Sequence, residues 1–117
     1  MSKTRSVKAK GRRLQNILRD KLRAAFPSLE EDDIKSQTMG MTGEDIVRSP
    51  VAKRKIPYSF ECKNVERLQI WSTIDQCKGN CPNGSSPAIV FKKNRRNPYV
   101  ALPLDVFIDL IREEIDV

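Results

Sequence analysis

Histidine is absent from this 117-residue chain, which removes Ser-His-Asp and Cys-His catalysis, histidine general bases and nearly every mixed Cys/His zinc site. Any chemistry must use carboxylates, lysines or cysteines. Cysteine is scarce as well: three of them are too few, and odd in number, for a disulfide scaffold, and they fit free thiols in a reducing, cytoplasmic setting. Cys62, Cys77 and Cys81 cannot supply four zinc ligands among themselves, so the Cys77-x-x-x-Cys81 spacing suits packing on a helix instead. No apolar run comes near the roughly 18 residues that suggest a membrane span. The first residues, with Lys3, Arg5, Lys8 and Lys10, lack the apolar core of a signal peptide. A soluble, unprocessed protein without a membrane partner is expected, its length suited to one domain with one modest core.

Positive charge is what the chain has in excess. Lys and Arg total 22 against 15 Asp and Glu, a net charge of +7, the balance of proteins that meet polyanions. Residues 1–10 carry four cations and no acid, and they are expected to form a flexible basic arm ahead of a single domain at 11–117. Further cations gather at Lys10, Arg12 and Arg13, at Lys53-Arg54-Lys55, and at Lys92, Lys93, Arg95 and Arg96. Solvated loops can look the same, yet several clusters in one small chain favour contact with nucleic-acid phosphates. Binding should then fall by orders of magnitude between low and moderate salt. Aromatic residues make up only 6% and offer no obvious stacking platform, an absence compatible with DNA, but composition does not separate DNA from RNA.

Periodicity organises the rest. Leu14, Ile17, Leu18, Leu22 and Ala25 recur at helical spacing between Arg12 and Phe26, and Pro27 follows where a helix should stop. The acidic cluster Glu30–Asp33 reads as a solvated loop or helix start, and the small, flexible segment 37–43 feeds a short strand at Glu44–Arg48. After the basic turn Lys53–Lys55, residues Tyr58–Lys63 alternate as a half-buried strand does. Ile70, Trp71, Ile74, Cys77 and Cys81 recur as a second helix in which Trp71 is expected in the core. Strands at 88–91 and 99–102 flank the basic loop, and an amphipathic helix starts near Asp105. The resulting order, α-β-β-α-β-β-α, predicts an α/β fold with a mixed central sheet of about four strands flanked by helices.

Alternation puts Glu61 and Lys63 on one face of their strand, with Asp45 at the mouth of the strand before it. If those strands pair, Asp45 and Glu61 converge as a hard-oxygen site suited to Mg²⁺, with Mn²⁺ as a substitute and the Cys62 carbonyl as a further donor. Lys63 beside such an ion can position water and stabilise a pentavalent phosphate. Taken alone, Glu-x-Lys is as readily a solvated surface pair. The preceding Asp45, the helix that follows and the basic chain together favour the chemical reading.

These residues resemble the PD-(D/E)xK, or restriction-endonuclease-like, nucleases. The stretch Ser36–Trp71 is similar to small phage-encoded members, through Met39-Gly40, Gly43-Glu44-Asp45-Ile46, Ser49-Pro50, Pro57 and Phe60-Glu61-Cys62-Lys63-Asn64 before Ile70-Trp71. The resemblance extends from about Gly11 to Arg112. It implies a restriction-endonuclease-like core, with Asp45 and Glu61 as the metal-binding acids, Lys63 as the motif lysine and Gln76 as a glutamine near the site. Gly43-Glu44 stands where Pro often precedes the first Asp, and the first helix offers Gln15 and Asp20 where many members supply a Glu. Glu44 should point to the opposite face from Asp45. The function so implied is a Mg²⁺-dependent endodeoxyribonuclease acting on branched DNA, such as a Holliday junction resolvase or a recombination or repair nuclease. It would act as a homodimer in the cytoplasm, the host's if the gene is a phage's. The alternatives are a non-catalytic DNA-binding protein on the same fold and a domain whose basic surface meets an acidic protein.

Overall fold

The spacing of Leu14, Leu18 and Leu22 lays one stripe of helix α1 (Lys3–Ala25) against the core, and Pro27 lies just past its end. The computed structural model describes residues 3–38 and 40–115; Met39, one of the residues behind the resemblance, lies outside them. Within that range α1 begins at Lys3, so residues 3–10 continue the helix rather than forming the separate arm expected. With no proline before Pro27 to stop it, the helix extends N-terminally past the apolar stripe.

A 3₁₀ turn at Glu31–Asp33 leads into β1 (Ile34–Ser36), which pairs antiparallel with β2 (Ile46–Arg48), Lys35 opposite Val47. Ser49 then caps α2 (Pro50–Lys55) by accepting the Ala52 amide at 3.2 Å, with Pro50 at the first helical position, a favoured helix start. The basic turn expected at Lys53–Lys55 is thus a short helix. Strand β3 (Tyr58–Asn64) runs parallel to β4 (Ser86–Lys92), joined through α3 (Ile70–Asn80), and β4 pairs antiparallel with β5 (Tyr99–Ala101) before α4 (Leu104–Ile115).

The single mixed sheet of about four strands is therefore corrected to two sheets, β1-β2 and β3-β4-β5. The reason lies at the edge of β3. Asp45 donates its amide to the Phe60 carbonyl at 3.1 Å, but its side-chain Oδ2 then accepts the Cys62 amide at 2.6 Å. A carboxylate occupies the place of the next ladder carbonyl, and the pairing stops after one backbone bond.

The core joins Leu14 of α1 to Ile34, Ile46, Ala52 and Ile56, and to Phe60, Cys62, Ala88 and Val90 on one face of the larger sheet. Helix α3 packs on the other face through Thr73 and Cys77, the Cys77 thiol lying 3.4 Å from the Ser59 carbonyl. That buried stripe is narrow, and Trp71, two residues before Thr73 and so on the opposite side of the helix, is 76% exposed rather than in the core. Helix α4 also leaves Leu104, Phe107, Ile108, Leu110 and Ile111 exposed. No described helix is long and apolar enough to cross a membrane.

Candidate functional site

Asp45, Glu61, Cys62, Lys63 and Gln76 line one cleft of about 210 Å³, together with Gln15 of α1 and the loop residues Gln37, Thr38 and Met41. Period-two alternation along β3 sends Glu61 and Lys63 away from the α1 core, and α3 brings Gln76 over the same face. Asp45 reaches the cleft because its backbone is held three ways. Its amide binds Phe60, and its carbonyl accepts both the Gln37 amide at 2.8 Å and the Gln15 Nε2 at 2.9 Å. The loop between β1 and β2 turns back through Gly40 and Gly43, at φ 86° and 109°, a region that glycine adopts without strain.

The electrostatics follow from burial. Glu61 is only 4% exposed, and desolvation, with repulsion from Asp45, pushes its carboxyl up to about 7 despite Lys63 nearby. Burial also raises Asp45, against the Cys62 amide and Lys63, which favour its charged form. The Lys63 Nζ lies 3.6 Å from Glu61 Oε1. Burial pushes the Cys62 thiol well above the thiol range, with the two carboxylates adding to the effect. Cys77 is raised to about 11, again by burial. Neither is available as a thiolate nucleophile near neutral pH, which leaves the chemistry to carboxylates and lysine.

Two desolvated carboxylates that repel each other suit a hard divalent cation. No cluster of three or more His, Cys, Asp or Glu occurs among the described residues, so Asp45 and Glu61 could form an open site completed by water and substrate oxygens rather than a closed cage. Cys62 contributes its amide to Asp45, fixing that carboxylate at the strand edge. Glu44 faces away, as expected, paired at 2.6 Å with the buried Arg48 guanidinium. Asp20 lies outside the cleft, on the surface beside Arg19. Gln15 is the residue that sequence reasoning undervalued; its signal was its place beside Leu14, on the buried stripe of α1.

The basic clusters divide. Asn64 Nδ2 donates to the Lys10 carbonyl at 3.3 Å, which sets Lys10, Arg12 and Arg13 beside the C-terminal end of β3. The loop with Lys92, Lys93, Arg95 and Arg96 leaves β4 at that same end, where Asn64 is in register with Lys92. Lys53, Arg54 and Lys55 instead precede Tyr58 at the opposite end of β3, roughly 20 Å away at strand rise. There Lys55 lies 3.4 Å from Ser28 Oγ. They do not join the cations around the cleft.

No family model, curated protein or solved structure matches the chain.

Proposed function

We propose that the protein is a metal-dependent DNA endonuclease of the PD-(D/E)xK type, with branched DNA as its substrate. The observation that carries this reading is the meeting of Asp45, just ahead of β2, with Glu61 and Lys63 of β3 in one cleft, near the cations at the C-terminal end of β3. Asp45 and Glu61 would hold Mg²⁺, or Mn²⁺ in its place. The bound ion would act as a Lewis acid on a phosphodiester and lower the pKa of its water. The Lys63 Nζ lies beside Glu61, where it can orient a water and offset charge that builds on the phosphate. Gln15 anchors the Asp45 backbone, and Gln76 supplies a polar group opposite it. Lys10, Arg12, Arg13 and the 92–96 loop bind the DNA backbone, a sequence-independent and salt-sensitive contact. A homodimer, in the cytoplasm, would supply the two cuts that a junction needs; the exposed apolar residues of α4 offer a surface for it. A sizing profile at the monomer mass under assay conditions would remove that part of the reading.

The test is cleavage of labelled four-way junction, flap and linear duplex in Mg²⁺. Asp45→Asn is expected to abolish cutting while leaving DNA binding intact or tighter, and Lys63→Ala to slow cutting by about 10²- to 10³-fold, the usual loss for a group that stabilises developing charge. A junction cut in preference to duplex marks a resolvase. Binding without cutting in Mg²⁺ or Mn²⁺ would leave a non-catalytic DNA-binding protein.

A further inference from the structure

Beyond the cleft, a second pocket of about 510 Å³ opens at the same end of the larger sheet, lined by Phe91, Tyr99 and the cations Lys92, Lys93, Arg95 and Arg96. Tyr99 is 66% exposed, and its ring stacks on Phe91 with centroids 6.3 Å apart and planes 28° from parallel. Tyr99 thus presents a supported aromatic surface rather than a loose side chain. The loop over it is pinned. Asn94 donates its amide to Glu66 Oε2 at 2.8 Å, Arg96 to the Lys93 carbonyl and Val65 to the Lys92 carbonyl, each at 3.1 Å. Arg95 takes a left-handed φ of 65°, which closes the turn. The sparse aromatic content concealed this platform, because Phe91 and Tyr99 are separated by the whole basic loop and become neighbours only when β4 and β5 pair.

Register ties the platform to the cleft. Lys63 is opposite Phe91, and Phe91 is opposite Tyr99. Residues in register across neighbouring strands share a sheet face, so these three form one row, with Tyr99 about 10 Å from Lys63 at ordinary strand spacing. Exposed aromatic rings beside cations along a backbone track are the physical arrangement that holds single-stranded nucleic acid: the ring stacks a base and the cations neutralise its phosphates. A base inside a continuous duplex has both faces covered by its neighbours and cannot stack on Tyr99.

We infer that the Phe91–Tyr99 pocket binds an unpaired nucleotide of the DNA strand whose phosphate lies at Asp45, Glu61 and Lys63. The substrate class is then DNA with a single-stranded stretch at the cut, such as a flap or an opened branch point, rather than continuous duplex. This rests on the nuclease reading for its placement, but the binding it describes does not require cleavage.

The experiment measures anisotropy in EDTA with two probes, fluorescein-labelled oligo(dT) of about 20 nucleotides and a blunt duplex of about 20 base pairs, each longer than a typical single-strand site. Tyr99→Ala is expected to weaken oligo(dT) binding about tenfold, the size of one lost base–ring stack, with duplex binding changed less than about twofold. Tyr99→Phe, which keeps the ring, is expected to restore it. Equal losses on both probes, or no loss on oligo(dT), overturn the pocket. Flap cleavage in Mg²⁺ is scored separately. Cutting without a Tyr99 effect removes the pocket and leaves the nuclease, whereas a Tyr99 effect without cutting does the reverse.

Discussion

The two faces of β3 are both shielded from water but built from opposite chemistries. On the α1 side, Phe60 and Cys62 sit among Leu14, Ile34, Ile46, Ala88 and Val90. On the α3 side, Ser59 lies under the Cys77 thiol, and Glu61, 4% exposed, shares the cleft with Asp45, Lys63 and Gln76. Burial stabilises the first face, because apolar area leaves water. The same burial strains the second, since it raises the carboxyls of Glu61 and Asp45. One strand thereby divides the work: alternate residues hold the fold together, and those between them are kept in a state that favours a proton or a cation.

The largest effect should come from breaking the apolar side. Phe60→Ala empties space next to Leu14 and Ile46 and is expected to cost about 3–5 kcal/mol in urea unfolding, a large fraction of the stability of a domain this size. Glu61→Gln, one residue along, is expected to leave stability at neutral pH unchanged or higher, because it removes a buried charge near a like one. Should Glu61→Gln prove the more destabilising of the two, the division of labour between the faces is wrong.

Much of this strand was legible in the sequence. The alternation of Tyr58–Lys63 assigned Phe60 and Cys62 to one face and Glu61 and Lys63 to the other, whereas the meeting of Asp45 with Glu61 was expected only if their strands paired, and it comes about instead through a single backbone bond and the Asp45 side chain at the edge of β3. What alternation could not show is that the charged face would be covered. Covering depends on α3 and on Gln37, Thr38 and Met41 between β1 and β2, which approach from distant parts of the chain. The strand β1 and the helix α2 were missed because three and six residues are too short to display a period. Trp71 misled because helical spacing records a face and not what covers it. The Phe91–Tyr99 pair was invisible for a similar reason, since it exists only through the register of β4 and β5.

A pH series sharpens the comparison without altering the core. Glu61 titrates near its ordinary value of 4.5 when unfolded and at about 7 when folded, so the folded protein binds more protons between those values and stability falls as pH rises. The contribution is fully present below pH 4.5 and is lost by the time pH passes about 7, a change of about 3 kcal/mol from the shift alone. Asp45, raised in the same direction, adds to it. Chemical unfolding followed from pH 4.5 to 8 should show this decline in wild type and a shallower one in Glu61→Gln; a wild-type curve as flat as the variant's would mean that Glu61 is not held in a desolvated site. The smaller effect is that of Mg²⁺. At about ten times its Kd, a cation that binds only the folded state adds about 1.4 kcal/mol, and it should do so at pH 8, where Glu61 is ionised, but not at pH 5, where the ion must displace a proton. Equal stabilisation at both pH values would place the ion away from Asp45 and Glu61, because only a site whose ligands carry protons at pH 5 loses the cation there.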